Sequence, residues 1–475
     1  MTTGLRIALT GATGYVGGML LAPLSDIAGE VVCLSRRPAR LTGSLPANGK
    51  AVKADVMDRD SLSSALQECD VAVYLVHSLG EDADFFRLET KSARNFAEAA
   101  RTAGVRRIIY LGALAQSDSS HTSAHIESRH RVGEILKSTG VPVTEFRASV
   151  IIGAGSMPFE AIRSLVERLP VMVTPRWVRM PVQPIAAPDL VRYLVASASE
   201  SSSDSHVYEI GGSEVTNYAD LMHEYATARG LRRFMIPVPV ITPRLSSLWL
   251  KLVTPAHYRI GKRIVDSAAH SSIVVDEQAK RDFNIEPVGV RAAIENALRK
   301  ENDELRFLDE PFRTEALTEK IRTGTKFVER RSVEVVGDEP TINERLRQIG
   351  GRNGWFWGNW LWKLRGVMDR MIGGPGLRSS KTKHPPQENS ILDFWTVKQV
   401  TENALILRAD MKLPGEAWLK LSTRIVDGKT YVDQTAAFDP KGLFGILYWF
   451  TLYPMHVLVF GGMLRGIKRS IEQST

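Results

Sequence analysis

The sequence predicts an α/β chain in which a doubly wound parallel sheet is followed by a smaller α+β domain. Three observations point there. Short apolar runs alternate with amphipathic stretches through residues 5–149, a glycine-rich turn joins the first run to the first amphipathic stretch, and the composition changes near residue 325. Runs too short for helices, alternating with helical periodicity, imply parallel strands joined by right-handed crossovers.

Taken in order, 5–10, 30–35, 50–54, 71–76, 107–111 and 143–149 read as strands, with helices at 15–24, 61–68, 83–102 and 125–138. The serine-rich stretch 197–205 is a loop before a further run at 207–210, and 217–229 reads as another helix. Residues 234–255 are apolar but broken by Pro237, Pro239, Pro243 and Pro255, which suits a lid or packing surface better than regular structure. The charged stretch 299–325 reads as a linker or bridging helix, which places the domains at 1–300 and 327–475 with 301–326 between them. Beyond it, 331–336 reads as a strand and 343–349 as a helix. The runs 391–397, 404–411, 417–425 and 431–438 are separated by Asn403, Pro414-Gly415 and Asp427-Gly428, the pattern of an antiparallel meander. Residues 442–464 carry no Asp, Glu, Lys or Arg and read as a long apolar helix.

With 475 residues, 44% hydrophobic and 24% charged, the chain is neither disordered nor collagen-like. Its two cysteines, Cys33 and Cys69, have no second cysteine or histidine at ligand spacing, which argues against a disulfide scaffold and a cysteine–zinc site. A reducing compartment follows, and because no secretory signal precedes the first strand, a cytoplasmic location is expected. Net charge is +8, yet residues 326–475 hold 22 basic and 15 acidic side chains against 39 and 38 in the rest. Seven of the nine tryptophans lie between Trp355 and Trp449, so the two parts have different chemistry. The charges are scattered and show no helix-turn-helix, zinc-finger or RNP pattern, so nucleic acid is not the expected partner.

The turn after the first strand reads Thr10-Gly11-Ala12-Thr13-Gly14-Tyr15-Val16-Gly17. Glycines so spaced allow a tight turn, close approach of backbone N–H groups to a pyrophosphate, and close packing of helix on strand. Gly11, Thr13, Gly14, Tyr15, Val16 and Gly17 are therefore expected to cradle a dinucleotide. The second strand ends in Arg36-Arg37, not in a carboxylate. A carboxylate there would hold a ribose 2′-hydroxyl, whereas guanidinium groups pair with a 2′-phosphate, so NADP(H) is expected over NAD(H). A solvated loop is the plainer alternative for the two arginines. Asp55 and Val56 stand where adenine would be read, and His77 and Gly112 end strands that would flank the nicotinamide ribose.

Leu9-Thr-Gly-Ala-Thr-Gly-Tyr-Val-Gly17, Asp55-Val56, Tyr110-Leu-Gly112, Glu145-Phe-Arg147 and Gln183-Pro-Ile-Ala-Ala-Pro-Asp189 resemble the atypical short-chain dehydrogenase/reductase superfamily, and within it the NmrA-like NAD(P)-binding branch. The likeness covers roughly residues 5–300 and implies a Rossmann fold and a nicotinamide cofactor. Typical members place a tyrosine and a lysine at i and i+4 on one helix face for proton transfer, with a serine after the fifth strand. Here those places fall on Ile126 and His130, and the serine region reads Gly112-Ala113, with Ser117, Ser119 and Ser120 in the following loop. A Tyr-x-x-x-Lys at Tyr258 and Lys262 lies outside the strand pattern. Arg129 and His130 remain candidates for ribose or phosphate, and His77 or His130 for an acid. No catalytic residue is assigned.

In the last third, Trp355-Phe-Trp-Gly-Asn-Trp-Leu-Trp362, Gly373-Gly-Pro-Gly376, Asp393-Phe-Trp395, Met411-Lys-Leu-Pro-Gly-Glu-Ala-Trp418 and Phe438-Asp-Pro-Lys-Gly-Leu-Phe-Gly-Ile-Leu-Tyr-Trp449 resemble an uncharacterised domain fused to such reductases in bacteria, one similar to the helix-grip (SRPBCC, START-like) fold. That resemblance implies a curved antiparallel sheet around a long terminal helix, with a cavity for a hydrophobic small molecule. The charge-free run 442–464 is also long enough to cross a bilayer, although Pro454 and His456 interrupt it. Peripheral membrane contact through tryptophans and cations is a further reading. Three functions follow: an NADP(H)-dependent oxidoreductase on an unknown hydrophobic substrate, a non-catalytic NADP(H) sensor, and a lipid or hydrophobic-ligand binder.

Overall fold

The computed structural model describes residues 4–41, 43–77, 85–115, 124–200, 203–238, 270–303, 308, 318–323, 326–350, 354–378, 386–426 and 428–473. The chain forms two compact units, one of residues 1–166 and 171–301 and one of 167–170 and 302–475.

In the first unit, strands β1 (Arg6–Thr10), β2 (Glu30–Ser35), β3 (Gly49–Lys53), β4 (Val71–Tyr74), β5 (Arg107–Ala113) and β6 (Val143–Ala148) alternate with α1 (Tyr15–Ile27), α2 (Arg59–Ala65), α3 (Phe85–Thr102) and α4 (Ala124–Lys137). Short pieces follow: β7 (Ile151–Ile152), α5 (Met157–Arg168), β8 (Val171–Pro175), β9 (Pro181–Val182), β10 (Ile185–Ala186) and α6 (Ala187–Ala198). Then come β11 (His206–Ile210), β12 (Thr216–Asn217), α7 (Tyr218–Ala228), β13 (Phe234–Val238), α8 (Gln278–Phe283) and α9 (Val290–Asp303). The main sheet has the order β11-β6-β5-β4-β1-β2-β3, all neighbours parallel.

Strand residues alternate between two cores, as a sheet covered on both faces requires. Ile7 and Leu9 pack with Leu20, Leu24 and Leu190 on one side, while Ala8, Val32 and Tyr74 pack with Phe96 and Leu62 on the other. Helix α2 starts where Asp58 accepts from the N–H groups of Asp60 (3.1 Å) and Ser61 (3.3 Å). The motif at 183–189 acts as a stitch. Gln183 donates to the Gly212 carbonyl (2.7 Å) and accepts from Val274 N (2.9 Å), and buried Asp189 accepts from Val288 N (2.8 Å).

The start of the proline-punctuated stretch 234–255 corrects the expectation of irregular chain. Phe234–Val238 is a strand, parallel to β8, and it tolerates Pro237 because the two-stranded sheet has open edges. Residues 239–255 lie outside the described residues, as do Ser117, Ser119, Ser120, Tyr258 and Lys262.

The second unit is an antiparallel sheet ordered β14-β15-β20-β19-β18-β17-β16, formed by β14 (Thr318–Thr323), β15 (Lys326–Val335), β16 (Ile391–Leu392), β17 (Trp395–Val400), β18 (Ala404–Ala409), β19 (Gly415–Val426) and β20 (Lys429–Pro440). Three helices accompany it, α10 (Glu339–Arg347), α11 (Asn359–Met371) and α12 (Gly442–Glu472). The span 301–326, expected to be a linker, thus contributes an edge strand: β14 pairs with β15 from Thr318↔Arg331 to Thr323↔Lys326. The run expected at 391–397 is broken into β16 and β17 at Asp393, whose φ is +58°. One sheet face carries Leu407, Leu419, Leu421, Val432 and Ala436 against Trp362, Phe460, Met463 and Ile467 of α11 and α12.

Candidate functional site

The carboxyl ends of β1, β2 and β4 open on a crevice of about 780 Å³. It lies where the strand order reverses, between β1 and β4, the place at which open parallel sheets bind ligands. Buried Thr10 ties the two strands there, donating to the Val73 carbonyl (3.1 Å) and accepting from Leu75 N (3.0 Å). Gly11, at φ +71°, lets the turn pass Leu75, since an added Cβ would sit 3.3 Å from it. A Cβ on Gly17 would collide with the Gly11 carbonyl, so α1 can pack against the turn only with glycine there. Helix α1 has no side-chain cap at Gly14 and no acidic residue in its first turn. Its leading N–H groups and the positive end of its dipole therefore suit an anion.

Arg36 and Arg37 follow β2 on the rim of the crevice, and Arg40 joins them from the turn Pro38–Leu41. All three side chains are exposed, and among the described residues none has an acidic partner. Arg40 escaped the sequence reading, although its distance of one turn from Arg36 and Arg37 was the available signal. Asp55 accepts from Met57 N (2.9 Å) through one oxygen, and the Val56 carbonyl accepts from Asn95 (3.1 Å), so this wall of the crevice is held in place by hydrogen bonds.

Gly11, Thr13, Gly14, Arg36, Arg37, Asp55, Val56 and His77 line the crevice together. Tyr15, Val16, Gly17 and Gly112 do not. Tyr15 turns its ring toward Gly153 and Gly155, where burial and Glu160 push its phenol above the usual range. Gly17 is packed under Gly11. What remains to Tyr15, Val16 and Gly17 is the backbone of the helix N-terminus. Gly112 is buried on β5 opposite Arg147, with room only for the Glu145 carboxylate, which Arg147 (2.8 Å) and Lys137 (3.4 Å) pair.

The positions that the reductase pattern reserves for tyrosine and lysine hold Ile126 and His130 on α4. Ile126 is buried, and His130 Nε2 lies 3.1 Å from the Ala113 carbonyl at the end of β5. His77 stands exposed on the crevice rim. Cys33 and Cys69 are free and buried, and burial pushes both thiols up to about 11, which keeps them unreactive.

In the second unit, α11, α12 and the sheet line a half-open pocket of about 200 Å³ with a largely apolar wall. Beneath α12, buried Glu329 and Arg331 pair (2.7 Å), Tyr453 donates to Glu329 (3.1 Å), and Arg331 donates to the Val457 carbonyl (2.9 Å). His456 lines the pocket, and burial pushes its imidazole down to about 4. On their outer sides the helices expose Phe444, Leu447, Phe450 and Leu458, and Trp360, Val367 and Met371. Helix α12 is long and apolar enough to cross a membrane, with a mean hydropathy of 1.6 in its most apolar window, of which 17% is buried.

Residues 11–149 match the family model described as NAD(P)H-binding, and residues 321–463 match a protein family of unknown function, DUF2867. No curated protein matches the chain. Solved structures resemble the first unit. An NADPH-dependent quinone oxidoreductase from Escherichia coli, complexed with NADPH, has a TM-score of 0.51 at 18% identity, covering 62% of this chain and 99% of that one. The triphenylmethane reductase of a Citrobacter species, complexed with NADP(H), scores 0.51 at 17% identity over 62% and 100%. MoeE5, in complex with UDP-glucose and NAD, scores 0.50 at 18% identity over 63% and 99%. At such identity the likeness is one of fold. The first unit has a Rossmann fold, and residues 11–149 within it are an NAD(P)H-binding domain by the family model they match.

Proposed function

We infer that the chain is an NADP(H)-dependent oxidoreductase of the atypical short-chain dehydrogenase/reductase class, acting on a hydrophobic substrate in the cytosol. The observation that carries this reading is the trio Arg36, Arg37 and Arg40, which after β2 line a crevice of dinucleotide size and have no acidic partner among the described residues. A 2′-phosphate would supply the anion that these guanidinium groups lack. The crevice volume, the uncapped α1 N-terminus and Asp55 suit the rest of NADP(H), which supplies a hydride when bound. The chain's own part is to hold: the turn from Gly11 to Gly14 positions the pyrophosphate, Asp55 and Val56 the adenine, and His77 flanks the end where chemistry would occur. The resemblance of NADPH-complexed reductases supports the cofactor choice, and the free buried thiols suit a reducing cytosol.

The test is fluorescence titration with NADPH, followed by NADPH oxidation with a panel of apolar enones and quinones. Binding with turnover is expected. Binding without turnover would make the unit a cofactor sensor, a reading that Ile126 and His130 favour, and no binding would remove the proposal.

The second unit, with its sheet and long terminal helix, we assign to the helix-grip type. A second reading concerns its outer surface. The exposed apolar side chains of α11 and α12 are accompanied by exposed Lys363 and Arg370, and the one carboxylate from 359 to 464 on either helix, Asp369, is buried. An apolar face with cations and no exposed acid fits an anionic lipid surface, so peripheral membrane contact is the reading for this face.

A further inference from the structure

Toward its C-terminal end, α12 carries two arginines on one face, Arg465 and Arg469, one turn apart. Both are exposed, and among the described residues neither has an acidic partner. With Trp357, Ser470 and Gln473 they line a pocket of about 270 Å³ that shares no residue with the apolar one and has no carboxylate in its wall. Helix stability does not call for this pair. Like charges at i and i+4 repel, and attraction to the helix dipole fades within the last turn, so it accounts for Arg469 but not for Arg465, about two turns before the helix ends at Glu472. Acids close by are engaged elsewhere: Glu472 pairs with Lys468 (3.4 Å) and Glu329 with Arg331 (2.7 Å). A Cβ on Gly461 would stand 2.5 Å from Arg331 Nη1 and 3.8 Å from Arg465 Nη1, so two guanidinium groups border one spot, and of the two it is Arg331 that holds a carboxylate. The facing wall is built against local preference. Glycine weakens a helix interior, yet Gly462 and Gly466 stand in α12, because a Cβ on either would lie 2.3 Å from the Trp357 ring or from the Phe356 carbonyl. Phe356 itself holds φ +61°, which a non-glycine residue keeps only where its surroundings impose it.

We propose that this pocket binds a phosphate monoester, with Arg465 and Arg469 gripping the phosphate and the loop of Phe356 and Trp357 bordering the group it esterifies. A guanidinium fork meets two phosphate oxygens at once, and a dianion answers two cations. The pocket is several times the roughly 30 Å³ share of one water molecule, which leaves room for the phosphate and a small attached group. Two sources offer this chemistry, a soluble phosphate ester and the headgroup of phosphatidic acid, and the test separates them.

The inference does not depend on the nucleotide assignment. Calorimetric titration of the full chain uses glycerol 3-phosphate, with glycerate as its carboxylate counterpart, and flotation uses phosphatidylcholine vesicles with or without phosphatidic acid. Because the crevice arginines also suit phosphate, each measurement is repeated on Arg36→Ala/Arg37→Ala and on Arg465→Gln/Arg469→Gln. Glycerol 3-phosphate is expected to bind saturably and about tenfold more tightly than glycerate, to lose about tenfold or more in Arg465→Gln/Arg469→Gln, and to persist in Arg36→Ala/Arg37→Ala. Binding to phosphatidic acid vesicles alone, with the same dependence on Arg465 and Arg469, would uphold the site and assign it to a lipid headgroup. No binding from either source, equal binding of glycerate, or a loss confined to Arg36→Ala/Arg37→Ala would each overturn the proposal. Since both arginines are exposed, thermal melts of Arg465→Gln/Arg469→Gln should show an unchanged or raised Tm as the repulsion is relieved. A lowered Tm with unchanged binding would make the pair a matter of stability and remove the site.

Discussion

Arg36, Arg37 and Arg40 are charged groups without an acidic partner among the described residues, and their value lies in what they select. Changing Arg36 and Arg37 together to alanine should weaken NADPH by about 100-fold, since hydrogen bonds to charged groups contribute roughly 1.5–3 kcal/mol each, while NADH changes little. Equal losses for both nucleotides in parallel titrations would refute the preference. Arg40→Ala should move in the same direction by a smaller factor. His456 provides a pH signature. Its imidazole is held neutral chiefly by burial, against the charge of Glu329 and with Arg331 and Arg365 nearby, at a pKa of about 4 against 6.5 for the free side chain. Below pH 6.5 the unfolded chain takes up a proton that the folded one refuses, so stability falls as pH drops toward 4 and is unaffected above 6.5. At pH 5 the loss is about 2 kcal/mol. Denaturant unfolding at pH 7 and pH 5 should show a smaller pH effect in His456→Gln than in the unaltered chain; an identical effect would place the sensitivity elsewhere.

At the scale of the element, the turn from Thr10 to Gly17 is the best example of local sequence dictating geometry. Gly17 and Gly18 are neighbours on α1, yet a Cβ at Gly17 meets the Gly11 carbonyl and one at Gly18 comes only to 3.7 Å of the Ala12 carbonyl. Gly17→Ala should therefore destabilise the first unit by about 1–3 kcal/mol through overpacking, whereas Gly18→Ala should be neutral or stabilising by up to about 1 kcal/mol through helix propensity. Thermal melts of the two variants distinguish them, and matching shifts would count against this account of the turn. Most strands of the first unit were legible because a covered parallel strand is a continuous apolar run bounded by turn residues. Phe234–Val238 was not, because Pro237 lies within it, Pro239 and Pro243 follow it, and its partner, β8, is found only in space. Thr318–Thr323 was missed because an edge strand needs no apolar period of its own when β15 holds it by backbone.

For the molecule as a whole, charge and tryptophan content divide along the chain as the two units do, and the second unit carries the basic excess together with exposed apolar side chains on α11 and α12. The full chain should sediment with vesicles containing anionic phosphatidylserine and be released as salt rises, with Phe444→Ser/Phe450→Ser reducing the bound fraction severalfold. Equal partition onto neutral and anionic vesicles, or self-association of the chain in place of vesicle binding, would remove the lipid reading. What the sequence determined by itself was the order of strands and helices, the dinucleotide turn and the arginines after β2, because each rests on backbone geometry and side-chain chemistry within a few residues. Only the tertiary structure decided that Tyr15 and Gly112 face away from the crevice, that Arg40 faces it, and that His130 is tied to a strand end. It alone also brought Trp362, Trp395 and α12 to one pocket wall, because they meet only after strands far apart in the chain, such as β15 and β20, have paired.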